Sequence, residues 1–177
     1  MTSSRSDELS REPPTPTPRF AILRHHVGRA FRREPRCEDA TAVQPVHWDW
    51  LFQTPMGERL STWSTEELGS PFPWDETQRY EAIRIADHRL KYLDYEGDIG
   101  GDRGTVRRIA EGAIVRFDLG SDLVHFRVKM HSDAFDLYGG LLDLRFERSR
   151  LETGADQSSD TLSRWTLGIE KSIEFSE

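Results

Sequence analysis

Apolar and polar residues alternate with a period of two through much of this chain. The clearest stretches are Ile114-Val115-Arg116-Phe117-Asp118-Leu119 and His125-Phe126-Arg127-Val128-Lys129-Met130. Such alternation turns one set of side chains toward a core and the other toward solvent, the signature of a half-buried β-strand. Strands are expected at Phe20–Leu23, Val46–Phe52, Leu60–Thr65, Glu81–Ala86, Gly104–Ile109, Ala113–Leu119, Leu123–Met130, Leu137–Glu147 and Arg164–Glu170. Turn residues at Gly97, Gly100-Gly101, Gly112, Gly120-Ser121 and Gly139-Gly140 punctuate them. Only short helices fit the remaining pattern, one of them around Asp75–Tyr80. The pattern predicts an all-β domain, mainly an antiparallel β-barrel, with short peripheral helices.

The flanks behave differently. Residues 1–18 end in Pro13-Pro14-Thr15-Pro16-Thr17-Pro18, which can enter neither a helix interior nor a central strand. They read as a disordered, polar leader. The domain is expected to span 19–172, with a loop inserted at 28–45, where no apolar period holds, and a tail at 173–177. Glu152–Ser163 is rich in Gly, Asp and Ser and reads as a long hairpin loop.

Composition supports one domain. At 177 residues the length suits a single core. Only 36% of residues are hydrophobic and 31% are charged, yet five Trp, nine Phe and four Tyr exceed what a disordered chain carries. The single cysteine, Cys37, excludes an intramolecular disulfide and a thiolate-rich zinc site. No run approaches the roughly 18 apolar residues of a membrane span. The N-terminus is too polar and acidic for a secretory signal, so the expected location is cytoplasmic. A net charge of −7 disfavours tight non-specific duplex binding. Residues 1–36 nevertheless hold eight Arg against four acids, a basic arm or a solvated tail.

The candidate chemistry lies in Val46-His47-Trp48-Asp49-Trp50-Leu51. On a strand, His47 and Asp49 share one face while Trp48 and Trp50 take the other. An imidazole beside a carboxylate suits a divalent metal, and Arg24-His25-His26 offers a second imidazole. Adjacent residues diverge on an extended chain, so one of His25 and His26 would join. Two imidazoles and one carboxylate leave positions open on Mn²⁺ or Zn²⁺. Farther on, His88 precedes Tyr92 by four residues. A locally bonded loop histidine and a core tyrosine are the plainer readings of that pair. His125 and His131 lack such company and are expected at the surface.

Taken as an ordered set, these blocks resemble the 3′-phosphoesterase domain of bacterial DNA ligase D. The matching segments are Phe20-Ala21-Ile22-Leu23-Arg24-His25-His26, Val46-His47-Trp48-Asp49-Trp50, Leu60-Ser61-Thr62-Trp63-Ser64, Asp87-His88-Arg89-Leu90-Lys91-Tyr92, Asp94-Tyr95-Glu96-Gly97 and Gly101-Asp102-Arg103-Gly104-Thr105-Val106. The resemblance implies a β-barrel that trims a 3′-ribonucleoside or 3′-phosphate from a primer end during DNA repair, with manganese favoured. It implies His25, His47 and Asp49 as metal ligands, with His88 and Tyr92 serving the phosphoester chemistry. The substrate would be the 3′ end of a primer–template, and ligase and polymerase would be separate repair proteins. Three features depart from the family. The gap between His25 and His47 is longer, Leu51 stands where the family places an arginine, and the family's basic residue on the strand before His88 is not clearly matched, although Arg79 and Arg84 lie nearby. A guanidinium contacts phosphate through two N–H groups and leucine through none. Arg84, Arg89 and Arg103 are the cations available to replace it. The alternative is a non-catalytic relative of the same barrel that binds nucleic acid or a partner.

Overall fold

The computed structural model describes residues 16–29, 46–54, 57–69, 77–132, 139–149 and 164–172. Nine strands run in chain order: β1 (Arg19–Val27), β2 (Val46–Gln53), β3 (Arg59–Glu66), β4 (Gln78–Arg89), β5 (Gly97–Asp98), β6 (Gly104–Leu119), β7 (Leu123–Met130), β8 (Leu141–Arg148) and β9 (Arg164–Lys171). Every pairing is antiparallel. The order β1-β2-β3-β4-β9-β8-β7-β6 closes on itself because β6 also pairs with β1, and β5 attaches to the start of β6. Eight strands therefore form a ring, as the alternation predicts for an all-β, antiparallel domain. Among the described residues no helix is long and apolar enough to cross a membrane.

Period-two alternation decides what the ring encloses. Phe20 and Ile22 of β1 share one cluster with Trp48, Trp50 and Phe52 of β2 and with inward residues of the other six ring strands. Aromatic rings fill it: Phe52 stacks on Phe126 at 4.0 Å between centroids, and Trp63 on Phe146 at 4.4 Å. Trp50 donates its indole N–H to Thr65 Oγ1 at 3.0 Å, so its polar edge is satisfied in the interior. The intervening residues of β1 and β2 face outward, but they are not bare. Ala21, Leu23, Leu51 and Leu60 form a second cluster with Leu93 and Val106, packed by Tyr92, Tyr95 and Ile99. The segment from the end of β4 to the start of β6 thus covers the outer face of β1 and β2. That cover buries the outward side chains of β1 and β2 outside the ring.

Several expectations need correction. Gln78, Arg79 and Tyr80 are not helical; they open β4, where they pair with Ile169, Gly168 and Leu167 of β9. Cross-strand hydrogen bonding there overrides the local helical preference. The helical element among the described residues is the 3-10 helix Leu90–Leu93. The strands expected at Gly104–Ile109 and Ala113–Leu119 are one, because β6 pairs with β1 up to Ala113 and with β7 from Gly112. Gly112 is a crossing point there and not a turn: a Cβ on it would meet the Lys129 carbonyl oxygen at 2.0 Å. β8 begins at Leu141, and Leu137 lies outside the described residues, as do the Glu152–Ser163 loop, the 173–177 tail and nearly all of the leader and the 28–45 insertion.

His125 is likewise not a lone surface histidine. It lies 2.7 Å from the Asp143 carboxylate, which also takes a bidentate contact from Arg127 at 3.0 and 2.9 Å. Burial pushes the Asp143 carboxyl up, but hydrogen bonds from Arg127, His125 and Ser172 outweigh it and hold the pKa below the ordinary value. A depressed carboxyl stabilises the fold above its unfolded pKa, near 3.9, and that contribution is lost as pH falls through the folded value. Asp143→Asn is expected to lower stability at pH 7 by about 1–2 kcal/mol, the half-exposed Arg127 keeping the figure modest. Urea denaturation should show the gap between wild type and variant closing below about pH 4.

Candidate metal centre

His25 and His47 face each other across the β1–β2 ladder, two rows from Leu23 and Asp49 and so on the same face. Odd-numbered residues of both strands point outward, so His25, His47 and Asp49 converge under the cover described above. All three are buried, at 3%, 4% and 4% exposure. His25 Nδ1 lies 3.1 Å from His47 Nε2 and 3.8 Å from Asp49 Oδ2, and His47 Nε2 lies 3.5 Å from Asp49 Oδ1. His26 is exposed on the other face, where it accepts a hydrogen bond from Arg24. Of the two adjacent histidines, the ladder selects His25.

The tautomer of His25 follows from its far nitrogen. Nε2 lies 3.1 Å from the Arg103 carbonyl oxygen, which can only accept, so Nε2 carries the proton and Nδ1 presents its lone pair to the cluster. Burial, then the neighbouring His47, pushes the His25 pKa down, favouring the neutral ring that a metal needs. Asp49 is pushed up by burial, but the adjacent His47, with His88 and His25, more than compensates and keeps its pKa below the usual range. A carboxylate and two imidazole nitrogens therefore meet in one buried spot.

This group can hold a metal ion. Its three ligand atoms lie within 4.8 Å of one another. Ligand bonds of about 2.0–2.2 Å put atoms on a common ion roughly 3.0–3.5 Å apart, close to the separations here. Among the described residues, the buried Asp49 Oδ1 has no well-formed hydrogen bond, His47 Nε2 standing 3.5 Å away, and a cation would satisfy it. The donor set of two nitrogens and a carboxylate suits a borderline divalent ion; it does not single out one metal.

His88 stands at the edge of this group. It lies on β4 opposite Leu60 of the covered face, close enough to influence both Asp49 and His25 electrostatically. Its Nδ1 lies 3.0 Å from the Ala86 carbonyl oxygen and donates to it, leaving the Nε2 lone pair without a partner among the described residues. Tyr92, on the 3-10 helix, meets the His88 ring edge-on at 5.4 Å, and Tyr95 meets Tyr92 at 5.9 Å. His88 is thus a strand residue near the cluster, with Tyr92 at its side.

The three arginines diverge. Arg84 lies on the ring-facing side, 4.6 Å over Trp63, and its guanidinium bonds the Thr62 carbonyl and Asp87. Arg89 is exposed, opposite Arg59. Arg103 turns its guanidinium back to the carbonyls of Gly100 and Ile99; what it gives the site is its own carbonyl. Leu51 is fully buried in the second cluster, sealed under Leu93.

Arg108 was not among the residues expected at this site. It occupies the row of Leu23 and Asp49, bonds the Leu93 carbonyl at 2.7 Å and pairs with Glu111 at 3.2 Å. It anchors the 3-10 helix that carries Tyr92. The available signal was its position two residues after Val106 on the covered face. Compared with known proteins, the sequence matches no family model, and no curated protein matches it.

Proposed function

We propose that this protein is a divalent-metal-dependent phosphoesterase that processes the 3′ ends of nucleic acid in DNA repair, removing a 3′-ribonucleoside or 3′-phosphate from a primer. The observation that carries this reading is the buried His25–His47–Asp49 group, with His88 acting electrostatically on it from β4 and Tyr92 against His88. Manganese is the favoured ion, with zinc as the alternative, and it would supply Lewis acidity toward a phosphoryl oxygen. Water attacks phosphorus as the bond to the leaving oxygen breaks, and His88, once protonated, donates its Nε2 proton to that oxygen, which departs as an alcohol. Tyr92 donates its hydroxyl to the same phosphate. The substrate is a primer–template.

A second reading has its own observation. Leu51 is sealed in an apolar cluster, and the guanidinium groups of Arg84 and Arg103 are bonded elsewhere, so a non-catalytic relative that binds nucleic acid or a partner also fits. Incubating the protein with manganese and a primer–template ending in a 3′-ribonucleotide separates the two. The phosphoesterase reading expects release of the nucleoside, reduced about 10²–10⁴-fold by His88→Ala. Retention of the primer without turnover, across manganese and zinc, would establish the binding role and sink the enzymatic one.

A further inference from the structure

The large hydrophobic residues left exposed among the described residues are concentrated in one place. Val115, Leu119 and Leu123 are each 50% exposed and Phe117 is 37% exposed, leaving only Leu90 elsewhere. Four of the five therefore sit on the β6–β7 hairpin. β6 pairs with β1 only as far as Ala113, with Ile114 N–H capped by the Pro18 carbonyl. From Val115 to Leu119 its second edge has no strand beside it among the described residues. The hairpin bond from Gly120 N–H to the Leu123 carbonyl points Gly120 toward β7. By alternation, Phe117 and Leu119 turn their N–H and C=O groups outward along the open edge. An exposed apolar edge of this kind is a template for strand addition.

The order of residues says what fits. We propose that Val115–Leu119 is the interface of a homodimer, in which two copies of this chain pair antiparallel about Phe117. In that register Phe117 faces the partner's Phe117, and Val115 faces the partner's Leu119. Arg116 meets the partner's Asp118, and Asp118 meets the partner's Arg116, so the pairing forms two cross-strand ion pairs. A parallel pairing would set Arg116 against the partner's Arg116, so charge selects the antiparallel two-fold arrangement. Among the described residues these charges have no cross-strand match within one copy. Arg116 lies opposite Arg127 and Asp118 opposite His125, and both of those β7 residues are committed to Asp143. A second copy supplies what the single chain lacks. This inference is independent of the metal centre.

Sedimentation velocity of the full chain, from nanomolar to high-micromolar concentration, tests it. Wild type is expected to shift from monomer to dimer. Arg116→Asp and Asp118→Arg each set like charges opposite one another twice per dimer and should weaken it by at least about tenfold. The double variant Arg116→Asp/Asp118→Arg restores opposite charges and should recover the dimer. All substituted positions are exposed, and a thermal melt confirms that each variant is folded. A monomer at every concentration overturns the proposal, as does a dimer indifferent to both reversals.

Discussion

Replacing Asp49 by asparagine is expected to abolish stabilisation by divalent metal while leaving the ring folded. A ligand that binds only the native state adds about 2.7 kcal/mol at a hundred times its dissociation constant. For the wild type this should appear as a rise in melting temperature of several degrees on adding manganese or zinc. Asparagine fills the same volume, so the metal-free protein should keep its packing. It lacks the charge that makes Asp49 the anionic member of the group, and its amide nitrogen adds a donor where a cation needs an acceptor. Loss even of an outer-shell partner costs a metal site about 10–100-fold in affinity, and loss of the carboxylate ligand should exceed that. Calorimetric titration with the metal alone gives a second measure. A wild type indifferent to both metals, or an Asp49→Asn protein that responds like it, would remove the basis for a metal centre.

Which parts of this site could be read from the chain follows from what kind of group supplies them. His47 and Asp49 are two apart on a strand, so their shared face is a local consequence of backbone geometry. His25 needed only a partner strand in register, and the ladder puts it directly opposite His47. The closed antiparallel sheet was legible for the same reason: alternation in β7 and β9 appears residue by residue in their burial. Tertiary pairing was not legible. Nothing local announces that β6 continues through Gly112, since the cause is the approach of Lys129 and Phe20 from other strands. The helix expected at Asp75–Tyr80 fails because β9, almost ninety residues away, pairs with Gln78–Tyr80. Arginines are chosen in a sequence for their side chains, and so Arg103 was weighed for its guanidinium. The structure uses its carbonyl, a group every residue carries and no composition reveals.

That carbonyl depends on two glycines, and Gly104→Ala should be the more damaging of the backbone substitutions available near the site. Arg103 O accepts the Gly28 N–H at 3.0 Å as well as the His25 Nε2–H at 3.1 Å. The chain can approach this closely because Gly28 and Gly104 have no Cβ. At Gly104, φ is +110°, and an added Cβ would lie 1.9 Å from the His26 carbonyl oxygen and 2.6 Å from Gly28 N. Both neighbours are backbone, so neither can rotate away. Strain in φ and the clash together should cost at least about 3 kcal/mol. As the turn withdraws, His25 loses the acceptor that fixes its tautomer, and metal affinity should fall about 10–100-fold. Gly100→Ala is the matched control. Gly100 also has positive φ, +76°, but nothing lies within 4 Å of its Cβ position. It should cost about 1–2 kcal/mol and leave metal affinity unchanged. Thermal melts and metal titrations on the two variants separate a general penalty for positive φ from a specific clasp on His25. Equal losses of metal affinity in both would mean that the glycines serve the turn alone, and that the Arg103 carbonyl is incidental to the histidine it touches.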